Sequence, residues 1–209
     1  MTGEANSVPE NGAEFVVRSA RQAFVAGRRV DMGELIAAAG VDRTTVFRWV
    51  GSRDKLLARV IWSVTEPTID IAAARAEGTG GARIAAAMGH FAAMANQGFF
   101  NEFIRREPER ALRIMTTRAG GVQHHIVAKV EAMLADEVAA GNLVPPLPIH
   151  DMAFLLVRIG ESFVYTTVIS GEEPDAVKVH QASAALLGAP IPGASTEVHH
   201  SEQVEGGRS

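Results

Sequence analysis

An all-α fold is predicted by three features of the sequence. Alanine-rich stretches place apolar residues three and four positions apart over most of the chain, the spacing that gathers them on one helical face. Alternating apolar–polar runs bounded by turn residues, the mark of half-buried strands, are missing. Aromatic residues make up only 6%, so the side chains that favour strands are scarce. With 209 residues, 47% apolar and 21% charged, the chain has the make-up of an ordinary globule large enough for one good-sized domain or two small ones.

The first helix is expected over about Ala13 to Ala26, with Val16, Ala20, Ala23 and Phe24 on one face and Gly27 at the left-handed stop. Asp31 reads as the N-cap of a second, two-turn helix, with Glu34 at capping-box spacing and Met32, Leu35, Ile36 and Ala39 as its buried stripe. Gly40 ends it. Asp42 caps a third helix over roughly Arg43 to Val50, where Val46, Trp49 and Val50 form an apolar face and Arg43 and Arg48 lie elsewhere. Gly51 stops that helix, and Ser52 caps a long fourth one through Leu56, Leu57, Val60, Ile61 and Val64. Pro67 is expected to kink or break it near Thr65 and Glu66. Further helices are expected near 82–96, 99–105, 108–118, 121–140, 150–170 and 174–187. The expected organisation is a tail over 1–11, an N-terminal unit over 12–58, a helical body over 59–188 and a tail over 189–209, both tails disordered.

Composition removes several function classes. Without cysteine there is no disulfide framework, thiolate zinc site or cysteine nucleophile. The amino terminus lacks a signal-peptide pattern, and the apolar stretch from Met152 to Ile169 contains Arg158 and Glu161, so a cytoplasmic protein with no membrane partner is expected. His124 and His125 are adjacent, hence about 100° apart on a helix and poorly placed for one metal, while His199 and His200 fall in the expected tail. Gly78-Thr-Gly-Gly81 lacks the ending of a phosphate loop, and neither a nucleophile elbow nor a His-Glu-x-x-His motif occurs. No catalytic residue, metal or cofactor is therefore expected.

Charge is distributed unevenly. Residues 12–60 carry nine Arg or Lys against five acids, a net +4, whereas residues 61–209 carry a net −6 and the first eleven residues −2. A basic front on an acidic body points to nucleic-acid contact confined to one end. The two short helices joined through Ala39-Gly40-Val41-Asp42 have the arrangement of a helix-turn-helix, whose tight joint lets one helix brace the other and whose outer face offers Arg and Thr donors to a major groove. By itself such a pair is also the corner of a plain helical bundle.

The residues are more specific than the arrangement. Met32-Gly-Glu-Leu-Ile-Ala-Ala-Ala-Gly-Val-Asp-Arg-Thr-Thr-Val-Phe-Arg-Trp-Val-Gly-Ser-Arg-Asp-Lys-Leu-Leu57 resembles the DNA-binding domain of TetR-type transcriptional repressors. It has their Ile-Ala, their Ala-Gly-Val, a Thr followed by an aliphatic and an aromatic residue, then Ser-Arg and paired leucines. At motif level the resemblance covers about residues 13–60; beyond that it rests on length and helix count. It implies that Arg43, Thr44 and Phe47 face bases and that Thr45, Arg48, Trp49 and Arg53 touch phosphates. Phe47 stands where the family commonly has Tyr, which removes a hydroxyl contact, and Gly33 stands where some members place a base-reading side chain. Trp49 could equally fill the core, and Arg53 could be a surface charge, although a cation at a helix start is slightly unfavourable. Arg18 and Arg21 are expected to be solvated.

The resemblance also implies a regulatory and dimerisation body. The helices near 150–170 and 174–187 lie where TetR-type proteins form an intersubunit four-helix bundle, with Met152, Leu155, Leu156, Ile159 and Phe163 as apolar surface that the protomer's own core must share. Candidate walls of an effector site are Phe91, Met94, Phe99, Phe100, Phe103 and Met115, although such a set at helical spacing is more often ordinary core. Candidate polar anchors are His90, Gln97, Arg118, His124, Arg158 and Tyr165, of which His90, Met94, Phe103, Arg118, Arg158 and Tyr165 make the shortlist for ligand binding. The run from Arg105 to Thr117 and the Trp-Val-Gly-Ser-Arg stretch are similar to the quorum-signal-degradation (QsdR-like) branch of the family, which makes an acyl-lactone or another apolar or amphipathic signal the first effector to consider. The expected function is that of a repressor binding a palindromic double-stranded DNA operator as a homodimer and released by a small molecule. The alternatives are a small all-helical enzyme or ligand carrier with a vestigial helix-turn-helix, and a DNA-binding protein that takes no ligand.

Overall fold

Local capping chemistry sets the starts of the first helices. The computed structural model describes residues 12–193, so the expected tail over 1–11, most of that over 189–209, and His199 and His200 lie outside the described residues. α1 (Gly12–Val25) buries Val16, Ala20, Ala23 and Phe24, the face its spacing predicts. At α2 (Met32–Ala39), Asp31 Oδ1 accepts from the Gly33 and Glu34 N–H groups at 2.7 and 3.1 Å. At α3 (Arg43–Val50), Asp42 Oδ1 accepts from the Thr45 N–H at 3.0 Å, and at α4 (Arg53–Arg75), Ser52 Oγ accepts from the Lys55 N–H at 3.2 Å. Each cap satisfies N–H groups that have no partner inside their own helix. All three junction glycines, Gly27, Gly40 and Gly51, take the positive φ expected of them.

The body follows as α5 (Gly80–Ala95), α6 (Gly98–Arg106), α7 (Pro108–Thr116), α8 (Gln123–Ala139), α9 (Ile149–Val164), α10 (Thr166–Ile169) and α11 (Ala176–Leu186). No strand occurs among the described residues, and no helix there is long and apolar enough to cross a membrane. One apolar cluster runs from Val16 and Leu35 in the front section through Ile61 and Met88 to Leu156 and Val179. α5 and α11 pack intimately: a Cβ on Gly89 would stand 2.8 Å from the Cβ of His180.

Two expectations about helix ends are corrected. α4 is not broken at Pro67 but continues to Arg75. A proline inside a helix costs about 3 kcal/mol, and burial of Val64, Ile69 and Ala72 on the flanking turns offsets it at roughly 1.5–3 kcal/mol for each larger side chain. Pro67 itself faces solvent, where water can reach the carbonyl it leaves unpaired. Conversely, the helix expected over 150–170 is two pieces, because α9 ends at Val164 and the β-branched run Thr166-Thr167-Val168-Ile169 forms only a four-residue turn. The boundary expected at residue 58 falls inside α4, which packs on α1 and α3 as well as on α5, α7 and α8.

One helix start is built from a distance. Thr79 provides no side-chain cap for α5; the carboxylate of Glu137, from α8, does so instead. Its Oε2 accepts from the Gly80 N–H at 2.7 Å and from Asn142 Nδ2 at 3.0 Å, and its Oε1 accepts from Arg83 at 2.6 Å. The Gly80 N–H, followed by Arg83, holds this carboxyl below the usual range despite its burial. Glu137→Ala leaves a buried N–H unpaired and is expected to cost about 1–3 kcal/mol. At 2–4 °C per kcal/mol that is roughly a 2–12 °C fall in Tm, to be read by circular dichroism.

Candidate nucleic-acid interface and effector cavity

α3 has an anchored side and a free side, and its neighbours decide which is which. Val46 and Val50 are buried in the cluster that also holds Leu35 and Ala39 of α2. Gly40, at φ 65°, makes the joint between the two helices with a backbone that L side chains rarely adopt. Opposite the anchored side, Arg43, Thr44 and Arg48 are exposed, and among the described residues neither arginine has an ion-pair partner. The Arg43 guanidinium lies 4.8 Å over the Phe47 ring, a cation–π contact that orients it along the exposed face. Three basic or hydrogen-bonding side chains on one short rigid helix are what a major groove requires.

The remaining members of the expected set are occupied by the protein itself. Thr45 is half-buried and donates its hydroxyl to Asp42 Oδ2 at 2.7 Å, so it completes the cap and has no proton left for a phosphate. Trp49 is half-buried beside the first residue of α1; a Cβ on Gly12 would lie 2.3 Å from its ring, so the indole fills the space between α1 and α3. Arg53 is the clearest correction. Its Nε donates to the Val30 carbonyl at 2.7 Å, and its two terminal nitrogens form a fork on Glu107, each at 2.7 Å. With both ends of the pair about one-seventh exposed, this guanidinium is committed to the protein, not to a phosphate.

That fork belongs to a larger ionic cluster joining α4 to α7. Arg110 bridges Glu107 and Asp54 Oδ1, the latter at 2.9 Å, and Arg113 reaches Asp54 Oδ2. Hydrogen bonding from Arg53, and then from Arg110, draws the Glu107 carboxyl down to about 2. Arg53 and Asp54 start the helix that follows α3, so the cluster ties the front section to the body.

In the body, an apolar cavity encloses about 500 Å³ of unfilled space between α4, α5, α8 and α9. Phe91, Phe100 and Met115 line it as expected, together with Ile61, Met88 and Val157. Tyr165 also lines it, almost fully buried, with burial and then Glu161 pushing its phenol above the ordinary range. The other shortlisted anchors lie elsewhere. Met94 borders a smaller neighbouring cleft that shares Thr65, Phe91 and Phe100 with the main cavity. Phe103 packs edge-on against Phe24 at 5.3 Å. His90 sits near His180, its Nδ1 buried without a hydrogen bond among the described residues. Arg118 is exposed between α7 and α8, and Arg158 is half-exposed behind the cavity, where it bonds Glu161 Oε2 at 2.7 Å.

Of the broader candidates, Gln97 is exposed and Phe99 meets Phe24 at 5.5 Å. His124 stacks with His125, which in turn lies on Trp62 at 4.8 Å. Among the described residues no group of three His, Cys, Asp or Glu is placed to hold a metal. The polar group missed from sequence is Glu161, which lines the cavity at 8% exposure. Its place one turn before Tyr165 was a usable signal; its partner Gln123, 38 residues earlier, gave none.

Comparison with known proteins gives two findings. Residues 79–188 match the family model described as the Tetracyclin repressor-like, C-terminal domain. The chain is also similar to a solved structure of the R. erythropolis transcriptional repressor QsdR, from the TetR family, with a TM-score of 0.79 and 26% identity over 87% of this chain and 96% of that one. No curated protein matches it.

Proposed function

Because the chain belongs to the TetR family of DNA-binding transcriptional regulators, we propose that it acts as a repressor, binding a palindromic operator as a homodimer and leaving it when a small apolar or amphipathic molecule fills the body cavity. The exposed, unpaired Arg43, Thr44 and Arg48 on α3 carry this reading. One short helix reads too few base pairs, so a two-fold dimer places two copies about one helical turn apart, ~34 Å or a multiple of it. Support for the dimer comes from α9, where Met152 and Leu156 serve the protomer's own core while Phe154 and Leu155 remain about two-fifths exposed; on the adjacent α11, Val177 is exposed as well. Arg43 and Arg48 act as the polar readers, and Phe47 offers the groove an apolar ring.

α4 supplies the connection between cavity and groove. Its first turns follow directly from α3, and two turns later Ile61 and Thr65 stand in the cavity wall. An occupant that shifts this wall shifts the frame on which α3 is mounted, and a coupling of ~1–3 kcal/mol would weaken DNA binding roughly 5- to 150-fold. The test is fluorescence anisotropy of the purified protein on DNA from upstream of its own gene, with a scrambled duplex as control and salt varied. Selective, saturable binding with a steep salt slope is expected. A selection from a genomic library covers the case of a distant operator, and equal weak binding to every duplex would refute the proposal.

A further inference from the structure

The cavity has a polar end of defined composition. Its walls are apolar, and among the described residues only Thr65, Glu161 and Tyr165 bring polar side chains to it. The Glu161 carboxylate is fixed from α8 and α9: Gln123 Nε2 donates to Oε1 and Oε2 at 3.0 and 3.1 Å, and Arg158 donates to Oε2. Three donated bonds leave acceptor capacity unused, since a carboxylate has about four lone-pair sites. Tyr165, only 4% exposed, makes no side-chain hydrogen bond among the described residues. A buried phenol usually finds a partner, and here the protein provides none.

These two groups stand one helical turn apart on the same wall and ask for complementary things. Resting on the reading of this cavity as an effector site, we propose that its occupant is a compact apolar molecule with one uncharged head, such as an alcohol or a primary amide, that donates a hydrogen bond to Glu161 and exchanges one with the Tyr165 hydroxyl. A carboxylate or phosphate head meets the Glu161 charge in an apolar surrounding and is repelled. An ammonium head must give up its water beside a carboxylate that Arg158 already neutralises in part. A plain hydrocarbon leaves Tyr165 as unpaired as before.

Four eight-carbon probes separate these cases: octan-1-ol, octanamide, octanoate and octylammonium, each titrated into the DNA-free protein at neutral pH by calorimetry and by Tm. The alcohol and the amide are expected to bind saturably, and both ions roughly tenfold more weakly or worse. Tyr165→Phe should weaken the alcohol and the amide by about tenfold while keeping the helical spectrum. Glu161→Gln, which removes the charge but retains an acceptor, should narrow the gap between octan-1-ol and octanoate. Equal binding of octanoate and octan-1-ol to the unaltered protein would overturn the proposal. So would failure of all four probes, stronger binding of octylammonium, or selectivity unchanged in both variants. The same titration with the DNA complex keeps the two readings apart: selective binding that leaves the protein on DNA refutes the effector role and leaves the head-group chemistry standing.

Discussion

Arg48→Ala is expected to reduce operator affinity by tens- to thousands-fold while leaving helicity and Tm unchanged. Arg48 lies exposed on α3 and has no ion-pair partner among the described residues, so its removal costs the fold nothing comparable. A base or phosphate contact from arginine is worth about 1–3 kcal/mol, and a dimer makes it twice. Salt dependence identifies which contact it is. If Arg48 holds a phosphate, the slope of log affinity against log salt falls by about 0.9 per copy; if it reads a base, the slope stays and selectivity over the scrambled duplex declines. Anisotropy measurements provide both readouts, and undiminished affinity would remove Arg48 from the interface. Arg53→Ala should behave in the opposite order, with Tm falling first because its guanidinium serves Glu107 and Val30.

The second large effect is expected at Glu107. Glu107→Gln preserves shape but leaves Arg53 and Arg110 without their shared carboxylate, and breaking such a poorly exposed cluster costs on the order of 3 kcal/mol. For a chain of this size that is a Tm loss of about 6–12 °C. The pH dependence follows from the lowered ionisation of Glu107, about 2 in the fold against an ordinary 4.5. A carboxyl whose folded value is depressed stabilises the fold fully above its unfolded value, and that stabilisation is lost as pH falls from 4.5 towards 2. The difference in Tm between the unaltered protein and Glu107→Gln should therefore be greatest above about pH 5 and shrink steadily towards pH 2.5. A difference that stays constant down to pH 3 would show that the carboxylate is not what holds α4 to α7.

The front of the molecule was legible residue by residue because its signals are local. Asp31, Asp42 and Ser52 cap helices whose first N–H groups lie two or three positions away, and Gly40 needs only its own φ to make the turn. The same short range exposed the free face of α3, since Val46 and Val50 point inward together and leave Arg43, Thr44 and Arg48 outside. Phosphate roles for Thr45 and Arg53 were drawn from resemblance, and the structure redirects both: one by an acceptor three residues away, the other by an acceptor 54 residues away. Only the first of these acceptors could have been found by inspection.

Helical periodicity, caps and the basic front are therefore properties of the sequence alone, because each depends on neighbours within about one turn or on a simple sum of charges. Tertiary structure decided the rest. It carried α4 through Pro67 by burying the flanking turns, used Glu137 to cap α5 from another helix, and bound Arg53 to Glu107 across the junction of front and body. It also opened a cavity whose one carboxylate, Glu161, depends on Gln123 from 38 residues earlier. Buried ion pairs and cavities arise from surfaces that meet only when helices pack, and the periodicity of each helix fixes which face is buried without specifying what it will meet.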